Sequence, residues 1–190
     1  SAWFGRSNGL PVNKILCSTN VNDVLRRFIE TGELAPEKTL PSVAPSMDIQ
    51  IPSSLERLIF DFTDGASPFY DALLKENKAK LSDDKIIQLN HIFSSSTFLD
   101  DDIKSEIKSL YQEFGSIFDP HSVTSIRMAL NNQDSVPTVA VATASPEKFS
   151  NVIAPLIETF SEVEIDDTEE YLKLENDKFA ISASIKAYFS

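Results

Sequence analysis

The sequence predicts an α/β fold in which helices cover a parallel sheet. Two strand–turn–helix units support this prediction, one in residues 12–32 and one in residues 138–158. Between them, apolar residues recur at helical spacing. A strand that alternates with a helix along the chain is typical of a parallel sheet. A length of 190 residues is enough for one domain with a sizeable core, so we expect a single domain over 1–190.

The first unit follows a short helical segment. Residues 1–6 resemble the last turns of an amphipathic helix, and Gly9 and Pro11 supply a stop signal behind them. Residues 12–17 are mostly apolar and predict a buried strand. Apolar side chains between Val21 and Thr31 recur on one face of a helix, which Gly32 ends. Because residues 1–6 already resemble the end of a helix, we expect the sequence to be a portion of a longer protein.

The middle of the chain is predicted to be helical. A proline-rich loop over residues 34–46, with Pro52 just beyond it, leads into a helix that Ser53 or Ser54 can cap. Residues 67–118 are then interpreted as a helical insertion, with helices at 68–78, 83–93 and 100–114. Acidic residues at 83–84 and 100–102 lie where the dipole of a helix favours negative charge. Another helix begins at Pro120 and stops at residues 131–132.

The second unit contains the clearest apolar run in the chain. Residues 138–142 predict a buried strand, residues 143–145 a polar turn, and Pro146 the start of a helix that reaches residue 158. Beyond it, a tail over 163–190 has two short segments, 171–174 and 179–185, with strand character.

Composition excludes several kinds of function. The chain carries 29 acidic against 17 basic residues, a formal charge of −12, so we expect neither nucleic acid nor a membrane surface as a partner. No apolar run approaches the length that spans a bilayer. The lone Cys17, in an apolar run, is expected to be a buried structural thiol. Its isolation fits a reducing compartment, and we expect a cytoplasmic protein.

Few residues suit a metal site or a phosphate cradle. With only two histidines and one cysteine, we expect no metal centre. Five glycines, none in a nucleotide-binding motif, argue against a glycine-rich phosphate loop within the chain. Ligands of open α/β sheets bind beyond the carboxyl ends of strands. The polar turns at 18–23 and 143–145 are therefore the expected ligand-contact regions.

Four blocks of the sequence, taken together, resemble the threonine synthase family. They are GLP followed by STNVND, RF and TG in 9–32, SMDIQ followed by ER in 46–57, DPHS in 119–122, and ATASPEKF in 142–149. Ser54 and Ser145 stand where the family has Asn and His. Pro52 and Ser145 favour the threonine synthase-like branch, in which phospholyase activity is expected.

The resemblance implies a pyridoxal-phosphate enzyme of fold type II, similar to the β-subunit of tryptophan synthase. In this family the Schiff-base lysine and the loop that binds the cofactor phosphate lie in the N-terminal half. Neither occurs among these residues, so no catalytic residue is assigned, and the missing N-terminal half is an expected partner. Thr143 is the expected cofactor contact, through its hydroxyl and the pyridine nitrogen. The alternative is a hydroxyl that satisfies its own turn.

The resemblance also implies candidate contacts with a phospho-amino-acid substrate, each with a structural alternative. The expected pocket is lined by Asn20, Asn22 and Asp23; in the structural alternative, these side chains cap a helix. In the functional interpretation, Asp48 binds the amino group of the substrate and Arg57 binds its phosphate. In the structural alternative, the two side chains form an internal ion pair. His121 lies near the pocket or makes a structural hydrogen bond.

The expected reaction is loss of phosphate from O-phosphohomoserine or a related phospho-amino acid, with addition of water to give threonine or with collapse to a keto acid. Without the lysine, the chain alone is expected to be inactive. A non-catalytic binding or signalling module, or a gene fragment, is the alternative.

Overall fold

The computed structural model describes residues 2–63, 65, 67–160 and 181. Its helices are α1 (Ala2–Ser7), α2 (Val24–Thr31), α3 (Ser53–Phe62), α4 (Ser67–Glu76), α5 (Asp83–Ile92), α6 (Asp100–Phe114), α7 (Pro120–Asn131) and α8 (Ser150–Ile153). Its strands are β1 (Ile15–Thr19), β2 (Glu33–Leu34), β3 (Ala79–Lys80) and β4 (Phe93–Thr97), and short 3₁₀ helices lie at Pro45–Met47 and Pro146–Phe149.

A parallel pair of strands organises the fold. β1 and β4 run side by side, with Ile15 opposite Phe93 and Thr19 opposite Thr97. β2 and β3 form a short antiparallel pair. Both strands of the parallel pair therefore end at the same edge, and the chain leaves β1 there into residues 20–23. The α/β class with a parallel pair agrees with the prediction.

Helix α2 shows why Gly32 is needed at its end. Gly32 adopts a left-handed conformation with φ of 71°, and its amide donates to the Phe28 carbonyl at 2.8 Å. A β-carbon at this position would lie 2.2 Å from a side-chain atom of Ile86 on α5. Glycine thus satisfies both the backbone conformation and the close approach of α5.

The first core cluster fills the space between β1, β4 and helices α2 to α5. Its buried members include Phe28, Ile59 and Leu89, and Trp3 of α1 packs against it. Cys17 also packs against this cluster, and burial raises the pKa of its thiol to about 11. A thiol with so high a pKa is protonated at neutral pH, which agrees with the predicted structural role. Cys17 is, however, only partly buried, whereas the sequence predicted a buried thiol.

The second core cluster joins α6, α7 and α8. Ile103, Ile107 and Leu110 of α6 meet Val123 of α7 and Ile153 of α8, and all five are buried. Phe149 and other partly buried apolar side chains complete this layer. Helix α7 also packs on β1, so this cluster lies close to the parallel pair.

The segment 67–118, predicted as a helical insertion of three helices, is not helical throughout. The three predicted helices are present as α4, α5 and α6, but β3 and β4 interrupt them. β4 has the sequence Phe-Ser-Ser-Ser-Thr, which lacks the apolar run or alternation that marks a strand. Its pairing with β1 holds it as a strand, because backbone hydrogen bonds do not depend on the side chains.

The predicted buried strand at 138–142 is also wrong. These described residues form no strand, and Val139 and Val141 are 85% and 65% exposed. A strand requires the backbone of a neighbour, and no described strand lies beside this segment. The helix predicted from Pro146 to residue 158 is a short 3₁₀ helix followed by α8.

The predicted strands of the tail, at 171–174 and 179–185, lie outside the described residues apart from Ile181. Among the helices of the described part, none combines the length and the apolar character that crossing a membrane requires.

Candidate functional site

The candidate site lies at the carboxyl edge of the parallel pair. The hydroxyls of Thr19 and Thr97 are 3.0 Å apart across the two strands, and the Phe98 amide donates to the Thr19 carbonyl at 2.9 Å. Ser18 Oγ lies 2.8 Å from Thr124 Oγ1 of α7. Hydroxyl contacts therefore join the strand ends to the start of α7.

Asn20, directly after β1, is completely buried and anchors the proline-rich loop. Its amide nitrogen donates to Asp48 Oδ1 at 2.6 Å and to Ser42 Oγ at 2.7 Å. Its side-chain oxygen, Oδ1, accepts from the backbone amide of Asn22 at 2.9 Å. The last contact is the local Asx-type bond of the structural alternative, whereas the first two hold a distant loop at the strand end.

Asn22 and Asp48 complete this network. The Asn22 side chain donates to Asp48 Oδ1 at 3.0 Å and exchanges hydrogen bonds with the backbone of Leu40. Asp48 also accepts from the backbone amide and the hydroxyl of Ser42. A carboxylate has about four acceptor positions. The three donors to Oδ1 and the single donor to Oδ2 leave Asp48 limited capacity for a ligand amino group.

His121 connects α7 to the same loop. Its Nδ1 lies 2.8 Å from Asp119 Oδ1, and its Nε2 accepts from the Ser46 amide at 3.1 Å. Because Nε2 accepts, the ring is neutral and Nδ1 carries the proton. Phe149 packs edge-on against the ring, with centroids 4.8 Å apart. Both ring nitrogens have protein partners, which favours the structural alternative for His121.

Asp119 is the buried charge of the site. It is the N-cap of α7, and it accepts from the amides of His121 and Ser122 as well as from both side chains. Burial raises its pKa, but the hydrogen bonds from His121 and Ser122 outweigh burial and hold the pKa of Asp119 below its usual value. The carboxylate is therefore charged at neutral pH, although it is fully buried.

Ser122 carries the network on to residue 143. Its hydroxyl contacts Asp119 Oδ2 and accepts from the Thr143 amide at 2.9 Å. Thr143 itself is exposed, and its hydroxyl takes part in none of the described hydrogen bonds. The predicted alternative, a hydroxyl that satisfies its own turn, thus has no described hydrogen bond to support it.

Two predicted site residues stand apart from the network. Asp23 occupies the N-cap position of α2 without a capping bond from its side chain, and its carboxylate pairs with Arg26 and Arg27. Arg57 is exposed on α3, and no ion pair joins it to Asp48 within the described residues. Hydrogen bonds therefore connect Asn20, Asn22 and Asp48 to one another and His121 to their loop, but they do not reach Asp23 or Arg57.

Acid should destabilise the chain through Asp23 and Asp119. Burial raises the pKa of Asp23, but Arg26 and Arg27 outweigh burial and hold this pKa below its usual value. Asp23 and Asp119 therefore both have a depressed pKa. A carboxylate whose pKa is lower in the folded chain than in the unfolded chain stabilises the fold at pH values above its unfolded-state pKa. This stabilisation is lost as the pH falls below about 4. We expect the urea midpoint to fall from pH 7 to pH 3, and to fall less for Asp119→Asn.

Asp101→Asn is the matched control for this pH series, since the Asp101 side chain is fully exposed. It should keep the pH dependence of the unsubstituted chain. Equal pH dependence in Asp119→Asn and Asp101→Asn would contradict the role of Asp119.

The described residues fit one part of a pyridoxal-phosphate site. The exposed Thr143 hydroxyl, on a residue whose backbone amide is held by Ser122 of α7, has the chemistry of a neutral partner for the ring nitrogen. The glycines are less suitable for the cofactor phosphate. Gly32 and Gly115 end helices, and Gly9 follows α1, so none of these belongs to a phosphate-binding loop. The fit therefore covers the ring side of the cofactor.

Sequence reasoning missed Ser122 and the role of Asp119 as a buried centre. In the sequence, Asp119 belongs to the DPHS block and directly precedes the helix predicted to begin at Pro120, where Asp before Pro is a capping signal. The contact between Ser122 and Thr143 spans 21 residues. No local pattern could have indicated it.

No protein-family model matches the chain, but known proteins do. It is 31% identical over 159 residues to threonine synthase from Pseudomonas aeruginosa, a match that covers 80% of this chain and 34% of that protein. It is 27% identical over 179 residues to human threonine synthase-like 1, covering 90% of this chain and 24% of that protein. The chain spans about one third of the length of the curated threonine synthases that it matches.

The fold agrees with these matches. PLP-bound threonine synthase from Brucella melitensis superimposes with a TM-score of 0.80 at 25% identity, covering 98% of this chain and 42% of that one. The sequence matches and this superposition agree on one family. The chain therefore belongs to the threonine synthase family and corresponds to a portion of its members.

Proposed function

We propose that this chain supplies the ring-nitrogen side of a pyridoxal-phosphate site in a threonine synthase-like enzyme. The observation that carries the proposal is the connected path from Asp119 through Ser122 to the Thr143 amide. The hydroxyl pair of Ser18 and Thr124 links α7 to the end of β1. The path therefore joins Thr143 to the edge of the sheet where ligands of α/β folds bind.

Thr143 has the chemistry that this role requires. When bound, pyridoxal phosphate supplies an electron sink for the reacting substrate carbon. A threonine hydroxyl is neutral, so it hydrogen-bonds the ring nitrogen without forcing its protonation. The related structure from Brucella melitensis holds PLP, which supports the same cofactor here.

The proposed substrate is a phospho-amino acid such as O-phosphohomoserine, which loses phosphate and gains water to form threonine. The names of the curated relatives support this product. The exposed guanidinium of Arg57 suits the substrate phosphate, because its planar fork binds two phosphate oxygens at once. Asn20, Asn22, Asp48 and His121 form the wall beside the strand ends, and their direct contact with substrate stays a prediction.

The chain alone should release no phosphate. The lysine and the phosphate-binding loop that the family resemblance requires are not among these 190 residues. With pyridoxal phosphate and O-phosphohomoserine added, we expect phosphate release equal to that of a control without protein. Release above that control, together with a visible absorbance band that borohydride removes, would contradict this part of the proposal.

Joining the chain to the complementary part of the Pseudomonas aeruginosa enzyme tests the ring-side role. We expect cofactor binding and phosphate release, with kcat reduced about tenfold in Thr143→Val, since one hydrogen bond is lost. Thr138→Val is the matched control, because Thr138 is exposed in the same segment. An unchanged kcat in Thr143→Val would show that Thr143 does not contact the cofactor. A joined protein that is folded by circular dichroism but binds no cofactor would favour a non-catalytic module.

A further inference from the structure

The segment that carries Thr143 has an unusual attachment. Residues 138–143 are exposed and belong to no described strand, so no described ladder of backbone hydrogen bonds fixes them. Two serine hydroxyls of α7 reach this segment instead. Ser122 Oγ accepts from the Thr143 amide at 2.9 Å, and Ser125 Oγ lies 3.0 Å from the Val141 carbonyl.

The two serines differ in how firmly they can hold the segment. Ser125 has one hydroxyl proton and two acceptors at similar range, the Ser122 carbonyl at 2.9 Å and the Val141 carbonyl at 3.0 Å. Its bond to the segment is therefore shared. Ser122 gives its proton to Asp119 Oδ2 and still offers a lone pair to the Thr143 amide. Both bonds of the Ser122 hydroxyl can form at the same time.

Asp119 fixes the direction of that hydroxyl. The carboxylate is fully buried, and Ser122 is almost completely buried beside it. Helix capping explains the bonds that Asp119 accepts from the amides of residues 121 and 122. It does not explain why the Ser122 side chain connects the same carboxylate to an amide 21 residues away. A charged acceptor also strengthens the O–H bond that orients Ser122.

We propose that Ser122 is a positioning residue for Thr143. Its hydroxyl, oriented by Asp119, holds the Thr143 backbone so that the threonine hydroxyl faces the ring of the cofactor. This inference rests on the proposed function and names the group that makes the ring-side contact effective. A serine that merely stabilised α7 would have the same bond to Asp119 but would not act through Thr143.

Amide hydrogen exchange of the whole 190-residue chain tests the attachment without any cofactor. We expect Ser122→Ala to speed exchange of the Thr143 amide about two- to tenfold, the loss of one hydrogen bond. Ser125→Ala is the matched control on the same helix and should leave that amide unchanged. Exchange of the Thr143 amide that is the same in Ser122→Ala and the unsubstituted chain would overturn the proposal.

A double-mutant cycle in the joined enzyme tests whether Ser122 acts through Thr143. We expect Ser122→Ala to lower kcat and to shift the absorbance of the bound cofactor in the same direction as Thr143→Val. In the Thr143→Val background, Ser122→Ala should have no further effect on kcat. Effects that multiply would assign Ser122 a separate structural role and overturn the proposal.

The two experiments also separate this inference from the proposed function. If the joined enzyme has no cofactor dependence, or if Thr143→Val leaves its kcat unchanged, the proposed function fails and the positioning role toward the cofactor fails with it. The exchange measurement still decides whether Ser122 holds the Thr143 backbone. If exchange is unaffected while Thr143→Val lowers kcat, only the positioning role is wrong.

Discussion

Replacing Phe28 with alanine is expected to lower the free energy of unfolding by about 3–5 kcal/mol. Phe28 is fully buried in α2 and lies in the first core cluster, with Phe69 edge-on at 6.1 Å between ring centroids. Its removal loses the transfer free energy of the ring and leaves a cavity that the surrounding helices fill only in part. Because domains of this size are stable by about 5–15 kcal/mol, this single change should remove much of the total.

Phe60→Ala is the matched control for this prediction. Phe60 lies on α3 and is 59% exposed, so the same chemical change opens no internal cavity there. Urea denaturation followed by circular dichroism should show a large fall in midpoint for Phe28→Ala and a small change for Phe60→Ala. Similar midpoints for the two variants would contradict the position of Phe28 in the core.

Replacing Asp119 with alanine is expected to cost about 2–4 kcal/mol at neutral pH. Loss of a helix cap costs about 0.5–2 kcal/mol. The change also leaves buried donors of His121 and Ser122 without their acceptor, which adds about 1–3 kcal/mol. The effect should therefore exceed that of removing an ordinary cap.

Asp101→Ala supplies the comparison for Asp119→Ala in the same denaturation experiment. Asp101 lies in the first turn of α6, and its side chain is fully exposed. Its replacement should change stability by less than about 0.5 kcal/mol. Equal effects of the two substitutions would show that Asp119 contributes only its charge near a helix end.

Local sequence signals located most of the helices. The apolar spacing of Val24, Phe28 and Ile29, followed by Gly32, predicted α2 within a few residues of its observed bounds. Acidic residues in the first turn of α6, and Asp119 followed by Pro120 at the start of α7, marked two further helix starts. These signals succeed because side chains three and four positions apart in the sequence are neighbours on a helix.

Strands were harder to predict, for opposite reasons in two cases. The serine-rich β4 is a strand because β1 lies beside it, although its side chains indicate none. Residues 138–142 have the composition of a buried strand, but the described chain gives them no paired neighbour and leaves Val139 exposed. Side-chain composition indicates what a strand would bury, whereas pairing depends on which backbone comes alongside.

In the candidate site, too, local sequence signals indicated some residues, whereas contacts between distant residues could not be predicted. Polar turns after two predicted strands indicated Asn20, Asn22 and Thr143 as residues near the expected ligand edge. The sequence could not indicate that Asn20 holds Asp48, or that Ser122 holds Thr143. These contacts join residues 28 and 21 positions apart, so they depend on how the elements pack.

By itself, the sequence determined the family, the α/β class and the positions of most helices, because motifs and periodicity are properties of neighbouring residues. Only the tertiary structure decided the partner of β1, the exposure of residues 138–142, and the satisfaction of His121 and Asp48 by protein donors and acceptors. The physical reason is that burial and hydrogen-bond satisfaction are set by distant residues brought into contact. Thr143 depends on both, since its type comes from the sequence and its attachment comes from Ser122 on α7.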